Sequence, residues 1–241
     1  MSFDPAHRPG SPPLGRIGLR RLIEGKRTGT APLNTETQRR GFRGWHERGY
    51  LPHFDAPHVT QFVTFMLADA FPVTRRQEWE PILHERDESL RRRKVEAWLD
   101  RGHGECWLHQ PRVATLVEEA LRRVDGSECR LQAWVLMPNH VHLVVDVWET
   151  PLSRLVKRWK GTTAHEANEI LGRCGSFWQA DYFETKIRDA AHLAQAIRYV
   201  EQNPARAKLV RDAREWPWSS AHLRDDYHRL PWQRDRACGA S

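Results

Sequence analysis

The amino-acid sequence predicts an α+β protein in which helices pack on an antiparallel sheet. A chain of 241 residues with 39% hydrophobic content can bury one sizeable core, so one domain with extensions is favoured over two. Short β-rich runs alternate with segments whose apolar residues recur every three or four positions. Their order along the chain, β, α, β, β, α, β, α, is that of a ferredoxin-like (split βαβ) sheet.

The first 50 residues are rich in Pro, Gly and Arg and show no sustained period, which predicts an extended basic N-terminal arm with little packing of its own. Among the residues that make it cationic are Arg16, Arg20, Arg21, Lys26, Arg27, Arg39, Arg40 and Arg43. Such an arm could follow a nucleic-acid backbone, and a solvated tail is an equal alternative. We expect the main domain at residues 51–225 and a C-terminal tail at 226–241.

The first strand is predicted in HVTQFVTFMLAD, which alternates well enough, with Val59, Phe62, Phe65 and Leu67 among its apolar residues. Helical spacing follows from Glu78 to Leu99 and from Pro111 to Val124, with GHGE as the break between them.

Two β-rich runs, RLQAWVLM and HVHLVVDV, form the densest apolar stretch and should lie centrally, joined by a bend at Pro138 and Asn139. A helix is predicted from Pro151 to about Leu171. The run SFWQADYFETKI predicts the last strand, and DAAHLAQAIRYVEQN predicts the closing helix.

The charge balance favours a polyanionic partner, because the chain carries a formal net charge of +7. An ordinary basic protein is the alternative. We expect a cytoplasmic, nucleoid-associated protein, since no apolar run approaches the roughly 20 residues of a membrane span and the N-terminus lacks a secretory signal. The scattered cysteines form no CxxC pair, which argues against a cysteine-based zinc site. They are Cys106, Cys129, Cys174 and Cys238.

The sequence HVH places two imidazoles on one face of a strand, because side chains two residues apart project to the same side. His140 and His142 therefore make half of a metal site, although histidines in sheets also serve packing or hydrogen bonding. Their position directly after the Pro-Asn bend, at the start of an apolar strand, favours a bound cation, since burying them costs solvation.

The closing helix carries a tyrosine beside its apolar stripe of Leu193, Ala196, Ile197 and Val200. Tyr199 should lie on the flank of that stripe, presented rather than buried. Asn203 follows one turn later on nearly the same face. The alternatives are a packing tyrosine and an Asn203 that caps a new helix beginning at Pro204.

Four motifs in this order resemble the REP-associated tyrosine transposases, a branch of the single-tyrosine HUH (insertion sequence 200-like) transposases. They are WVLMPNHVHLVV, KRWKG, FWQADYFETKIRDAAHLAQAIRYVEQNPARAKLV and WPWSS. The resemblance runs from about His53 to about Leu223. The chain departs from compact members in its basic N-terminal arm and between about Trp79 and Gln110.

The resemblance implies a DNA strand-transferase that cleaves and rejoins single-stranded, hairpin-associated DNA through a 5′-phosphotyrosine. It implies Tyr199 as the nucleophile, with His140 and His142 as catalytic metal ligands and Asn203 as a third ligand. Mg²⁺ or Mn²⁺ is the expected cofactor. The expected partner is DNA at a hairpin or repetitive palindromic element, with a homodimer as one option.

The candidate DNA contacts are basic side chains, each of which could equally be a solvated surface charge. They are Arg154, Lys157, Arg158, Lys160, Arg188 and Arg198. Two other functions stay open. One is a non-catalytic protein that binds nucleic-acid hairpins, and the other is a metal-dependent hydrolytic nuclease in which Tyr199 only packs.

Overall fold

The structure is a computed structural model and describes residues 32–48, 51–85, 87–226 and 228–234. Its strands are β1 (Gly44–Arg48), β2 (Leu51–Asp55), β3 (Val59–Met66), β4 (Cys129–Leu136), β5 (His140–Val147) and β6 (Phe183–Lys186). The last four form an antiparallel sheet in the order β4-β5-β3-β6, while β1 and β2 form a separate hairpin. This is the order of a split βαβ sheet, so the predicted fold class is confirmed.

The helices are α1 (Thr35–Arg39), α2 (Arg76–Leu83), α3 (Glu88–Leu99), α4 (Pro111–Arg122), α5 (Leu152–Leu171), α6 (Ala190–Arg206) and α7 (Pro231–Arg234). The helical segment predicted from residue 78 to 99 is therefore two helices. The Asp87 side chain accepts a hydrogen bond from the Leu90 amide and starts α3 anew. No helix in the described ranges is long and apolar enough to cross a membrane.

The two faces of the sheet carry different helices. Helices α4 and α5 cover the face of Phe65 and Leu143, whereas α6 covers the face of Phe62 and Val144. Crossovers between parallel strands of one sheet are right-handed, which places both connecting helices on the same face. The closing helix follows the last strand and is free to cover the other face.

The part of the predicted arm that the structure describes differs from the prediction. Residues 32–48 contain α1, capped by the Asn34 side chain, and strand β1. Phe42 is buried in the main core and Leu33 packs against that core, which gives the segment a packing that its composition does not indicate. Residues 1–31 of the arm lie outside the described residues.

Strand β2 is attached to the sheet by a buried polar group. His53 lies between Asp181, at 3.0 Å, and Glu184, at 2.6 Å. Burial alone would lower the pKa of His53, but hydrogen bonds and charge from the two carboxylates outweigh it and raise the pKa to about 9. The adjacent Asp55 accepts hydrogen bonds from the Leu152 amide and the Ser153 hydroxyl at the start of α5.

The predicted C-terminal tail is partly packed within the described residues 228–234. Leu230 is fully buried, and the Trp232 ring stacks on Trp134 with 6.2 Å between centroids. The domain boundaries at 51, 225 and 226 stay predictions.

Candidate active site

The two histidines of β5 face each other within the sheet. His140 pairs with Met66 and His142 with Thr64 on the neighbouring strand β3. Both imidazoles are fully buried, and their Nε2 atoms are 2.9 Å apart. The predicted shared face is therefore observed, on the side of the sheet that α6 covers.

Neighbouring side chains orient both rings. The Asn139 amide nitrogen donates to the His103 carbonyl, which turns its oxygen toward His140 Nδ1 at 2.7 Å. His140 Nδ1 therefore donates, and its Nε2 keeps a free lone pair. His142 Nδ1 lies 2.7 Å from the Thr64 hydroxyl, which can donate or accept. Such partners typically fix the tautomer of metal-binding histidines, a role that the sequence analysis did not assign to Asn139.

Burial keeps both imidazoles neutral. Loss of hydration lowers the pKa of His140 to about 3. The same effect, with the neighbouring His140 as the second cause, places the pKa of His142 well below its usual value. Neutral imidazole is the state that binds metal. Two neutral rings can face each other when one Nε2 donates to the other, or when a cation lies between two lone pairs.

Tyr199 approaches the same histidines from α6. Its ring meets the His142 ring edge-on at 5.5 Å and the Phe62 ring at 5.8 Å, measured between centroids. The ring is half-buried, but its hydroxyl is buried and interacts with the Glu96 carboxylate of α3. The expectation of a presented side chain is thus wrong for the hydroxyl, because α3 covers it.

Asn203 lies one turn after Tyr199 in the same helix. Helix α6 continues through Pro204 to Arg206, so the alternative in which Asn203 starts a new helix is wrong. Pro204 has no amide hydrogen, so it cannot donate the helical hydrogen bond to the carbonyl of Val200. Asn203 is 1% exposed, and neither polar atom of its amide has a partner in the described part of the chain.

Two carboxylates from α3 and its C-cap also reach this group. Asp100 Oδ1 lies 4.0 Å from His140 Nε2. Burial raises the pKa of Tyr199, and the nearby Glu96 and Asp100 carboxylates raise it further. Both acids belong to the segment in which the chain departs from compact family members, and the sequence analysis missed them. Their spacing of four residues on one helix face was the available signal.

Two arginines complete the surroundings and were also missed. The Arg206 guanidinium lies 4.8 Å from the Tyr199 ring centroid, which is a cation–π contact. Arg92 lies over the Phe62 ring at 5.5 Å and pairs with Glu96 at 3.3 Å. These side chains bring positive charge close to Tyr199.

The basic helix α5 lies on the other face of the sheet from the histidines, so its cations do not surround the site. Arg158 is held by both oxygens of Glu128, and the Lys160 ammonium donates to the carbonyls of Ala180 and Asp181. The remaining two predicted contacts of this helix, Arg154 and Lys157, are exposed.

Of the six predicted DNA contacts, Arg188 and Arg198 are nearest to Tyr199 along the chain. Arg198 lies beside it in α6, and Arg188 directly precedes the Asp189 cap of that helix. Both side chains are exposed. A role in binding DNA stays a prediction for all six residues.

Residues 107–203, which contain both histidines, Tyr199 and Asn203, match the family described as "Transposase IS200 like". This segment is similar to the IS200-like transposases. The resemblance inferred from the motifs is thereby confirmed, and Glu96 and Asp100 lie outside the matched segment of this IS200-like domain.

The relatives of the IS200-like domain include a REP-associated tyrosine transposase of Escherichia coli K12. It is 26% identical over 96 residues, which cover 38% of this chain and 54% of the relative. A Haemophilus influenzae protein given the same name provisionally is 27% identical over 100 residues, covering 36% of this chain and 56% of that protein. The chain therefore spans about half the length of the curated relatives it matches.

A solved structure of a REP-associated tyrosine transposase bound to a REP hairpin is also similar. The identity is 16% and the TM-score 0.46, with 73% of this chain and 84% of the other chain covered.

Proposed function

We propose that the chain is a DNA strand-transferase that cleaves and rejoins single-stranded DNA near hairpins, with Tyr199 as the nucleophile. The observation that carries this proposal is the approach of the Tyr199 ring to within 5.5 Å of the His142 ring, on the same face of the sheet as His140. The names of the relatives support a repetitive palindromic hairpin as the substrate. Action in the cytoplasm, at the nucleoid, and formation of a homodimer belong to the same proposal.

The residues present fit a divalent cation. Ligand nitrogens about 2.1 Å from one ion and at a right angle to each other would lie about 3.0 Å apart, close to the 2.9 Å between the two Nε2 atoms. The unpartnered Asn203 amide oxygen offers a third ligand. Within the described residues no three His, Cys, Asp or Glu side chains are already arranged as a metal site. Part of the coordination would therefore come from Asn203 and from the substrate.

Mg²⁺ or Mn²⁺ in this position would polarise the phosphate and offset its charge. The Tyr199 oxygen attacks phosphorus, the bond from phosphorus to the 3′ oxygen breaks, and that oxygen leaves as a 3′-hydroxyl after taking up a proton. The phenolic proton passes to water. Attack by the 3′-hydroxyl of a second strand reverses the step and restores Tyr199, so the phosphodiester is transferred rather than hydrolysed.

The site must open before DNA can bind in this way. Both imidazoles are fully buried, so a phosphate cannot touch them while α3 and its C-cap hold their observed position. The Asp100 side chain, 28% exposed, contacts solvent more than the Glu96 side chain, 14% exposed. Hinge residues are often small, and Gly102 and Gly104 follow Asp100 with positive φ angles, so we propose that this end of α3 moves to admit DNA.

A covalent-capture experiment tests the function. Labelled single-stranded hairpin DNA is incubated with Mn²⁺ and protein, the mixture is denatured, and protein-linked DNA is resolved on a gel. We expect wild type to form an adduct. Tyr199→Phe should form none while binding DNA normally, because only the nucleophilic oxygen is lost.

The matched control is Tyr182→Phe, which changes a buried tyrosine at the His53 group and should keep the adduct. If wild type cuts DNA without an adduct, the chain is a hydrolytic nuclease. Hairpin binding without cutting would identify a non-catalytic binding protein. An adduct on the Phe variant at residue 199 would refute the assignment of the nucleophile.

A further inference from the structure

We infer that Asp100 supplies a carboxylate ligand to the cation held by His140 and His142. This inference rests on the proposed function and adds to the site a ligand from outside the matched family segment. It assigns a role to the helical segment that departs from compact family members.

The first support is distance. Two atoms bound to one ion at about 2.1 Å each cannot be more than about 4.2 Å apart. Asp100 Oδ1 and His140 Nε2 are 4.0 Å apart, so one ion can contact both without movement of the backbone. Oxygen ligands are also those that Mg²⁺ and Mn²⁺ prefer.

The second support is the concentration of unsatisfied groups. Ten buried side-chain nitrogen and oxygen atoms lack a hydrogen-bond partner among the described residues, and three of them belong to Asp100 and Asn203. Buried polar atoms are normally satisfied, so an unpartnered group of this kind indicates a missing ion or water. Among the residues near the histidines with unpartnered polar atoms, Asn203 has the least access to solvent, because it is 1% exposed.

The third support separates Asp100 from Glu96. Glu96 already has a cation, because Arg92 pairs with it at 3.3 Å. Asp100 has no such pair in the described chain apart from its approach to His140, although Arg206 acts on it from a longer distance. Asp100 is also the C-cap of α3, where the helix dipole disfavours a negative charge. A bound cation would supply the missing counter-charge of Asp100 and would offset the unfavourable helix dipole.

In the observed position, which precedes the proposed opening for DNA, packing holds the end of α3 in place. Trp98, two residues before Asp100, is 1% exposed, and its indole nitrogen donates to the Ala70 carbonyl at 2.9 Å. Side chains that are locked by packing keep functional groups in a fixed geometry. The competing role for Asp100 is to orient Arg206 by charge alone, which would leave metal binding unaffected.

The first experiment measures Mn²⁺ binding to the full chain by titration calorimetry without DNA. Asp100→Asn keeps the shape of the side chain and removes its charge. We expect its dissociation constant to rise at least about tenfold, since even groups that only orient a ligand cost this much. The matched control is Glu119→Gln, which removes a charge from an exposed position of helix α4 and should leave affinity unchanged.

The second experiment exchanges the ligand type. Asp100→Cys should bind the soft ion Cd²⁺ more tightly than wild type and Mn²⁺ more weakly, because thiolates select soft metals. The ultraviolet absorption of a cadmium–thiolate bond reports the contact directly. Glu119→Cys controls for binding by an exposed thiol.

The outcomes separate the inference from the function. Wild-type affinity for Mn²⁺ in Asp100→Asn, or no Cd²⁺ preference in Asp100→Cys, overturns the ligand while the tyrosine chemistry stands. If wild type forms the DNA adduct but binds no Mn²⁺ without DNA, the preformed ligand set is also overturned. Loss of the adduct in wild type contradicts the proposed function independently of Asp100.

Discussion

The molecule contains two buried histidine groups with opposite electrostatics. His53 is held between Asp181 and Glu184 and has a raised pKa of about 9. His140 and His142 face each other, and burial lowers the pKa of His140 to about 3. Both groups lie in the interior, but at neutral pH the His53 imidazole is positively charged, whereas the imidazoles of His140 and His142 are neutral.

The difference between the groups is whether the protein itself supplies the counter-charge. Both ring nitrogens of His53 have carboxylate partners, so the imidazole is fully paired and joins β2 to β6, although the second Asp181 oxygen has no partner among the described residues. Around His140 the carboxylate of Asp100 remains at 4.0 Å, and several polar atoms have no partner in the described chain. A complete buried group indicates a structural role, whereas an incomplete one indicates a ligand.

The largest expected effect breaks the complete group. Glu184→Gln removes a nearly buried charge that accepts hydrogen bonds from His53 and the Phe54 amide. We expect the free energy of unfolding to fall by about 3 kcal/mol, because the buried imidazolium loses half of its compensation. Chemical denaturation measures this loss. The control Glu166→Gln, at an exposed site on α5, should change the free energy of unfolding by less than about 0.5 kcal/mol. An equal loss in Glu184→Gln and Glu166→Gln would contradict a structural role for the His53 group.

The second expected effect is stabilisation of the fold when Mn²⁺ binds at His140 and His142. Mn²⁺ at about 100 times its dissociation constant should stabilise wild type by about 2.7 kcal/mol, because it binds only the folded state. Thermal unfolding with and without Mn²⁺ measures this gain. His142→Gln should abolish it, whereas a substitution in the other group, His53→Gln, should lower stability but keep the increment. Loss of the increment in both variants would show that Mn²⁺ acts elsewhere.

The order of elements could be predicted because it depends on local periodicity. The strands of HVTQFVTFMLAD and HVHLVVDV appear as β3 and β5, and the HVH spacing alone places both imidazoles on one face. The packing of residues 32–48 could not be predicted in this way, since two apolar residues as far apart as Leu33 and Phe42 produce no periodicity.

The charges of the site were harder to predict because they depend on tertiary position. A basic helix in sequence does not say which face of the sheet it covers, and α5 proved to lie away from the histidines. The handedness of the two crossovers predicts that α4 and α5 share one face, but it does not determine to which face the histidines point. Glu96 and Asp100 are distant in sequence from His140, and only the folded path of the segment brings them near.

The third prediction uses the raised pKa of His53. A raised folded-state pKa contributes stability that is fully present below the unfolded value of 6.5 and is lost as pH rises toward about 9. His140 stays neutral throughout this window because its pKa lies below it. The wild-type free energy of unfolding should therefore fall from pH 6.5 to 9. His53→Gln should flatten this slope, while the exposed His165→Gln should not.

The smallest expected effect is a substitution that raises the free energy of unfolding, whereas Glu184→Gln lowers it. Asn203 is buried with both polar atoms unpartnered in the described chain, so its amide lowers stability unless a ligand satisfies it. Asn203→Leu, which has a similar size and no polar group, should raise the free energy of unfolding by about 1 kcal/mol in metal-free buffer. The same variant should lose part of the Mn²⁺ increment, and denaturation curves with and without the ion measure both changes. If Asn203 has a structural role instead, Asn203→Leu should lower the free energy of unfolding both with and without Mn²⁺. A gain in stability without the ion is expected only of a residue that is kept for ligand binding.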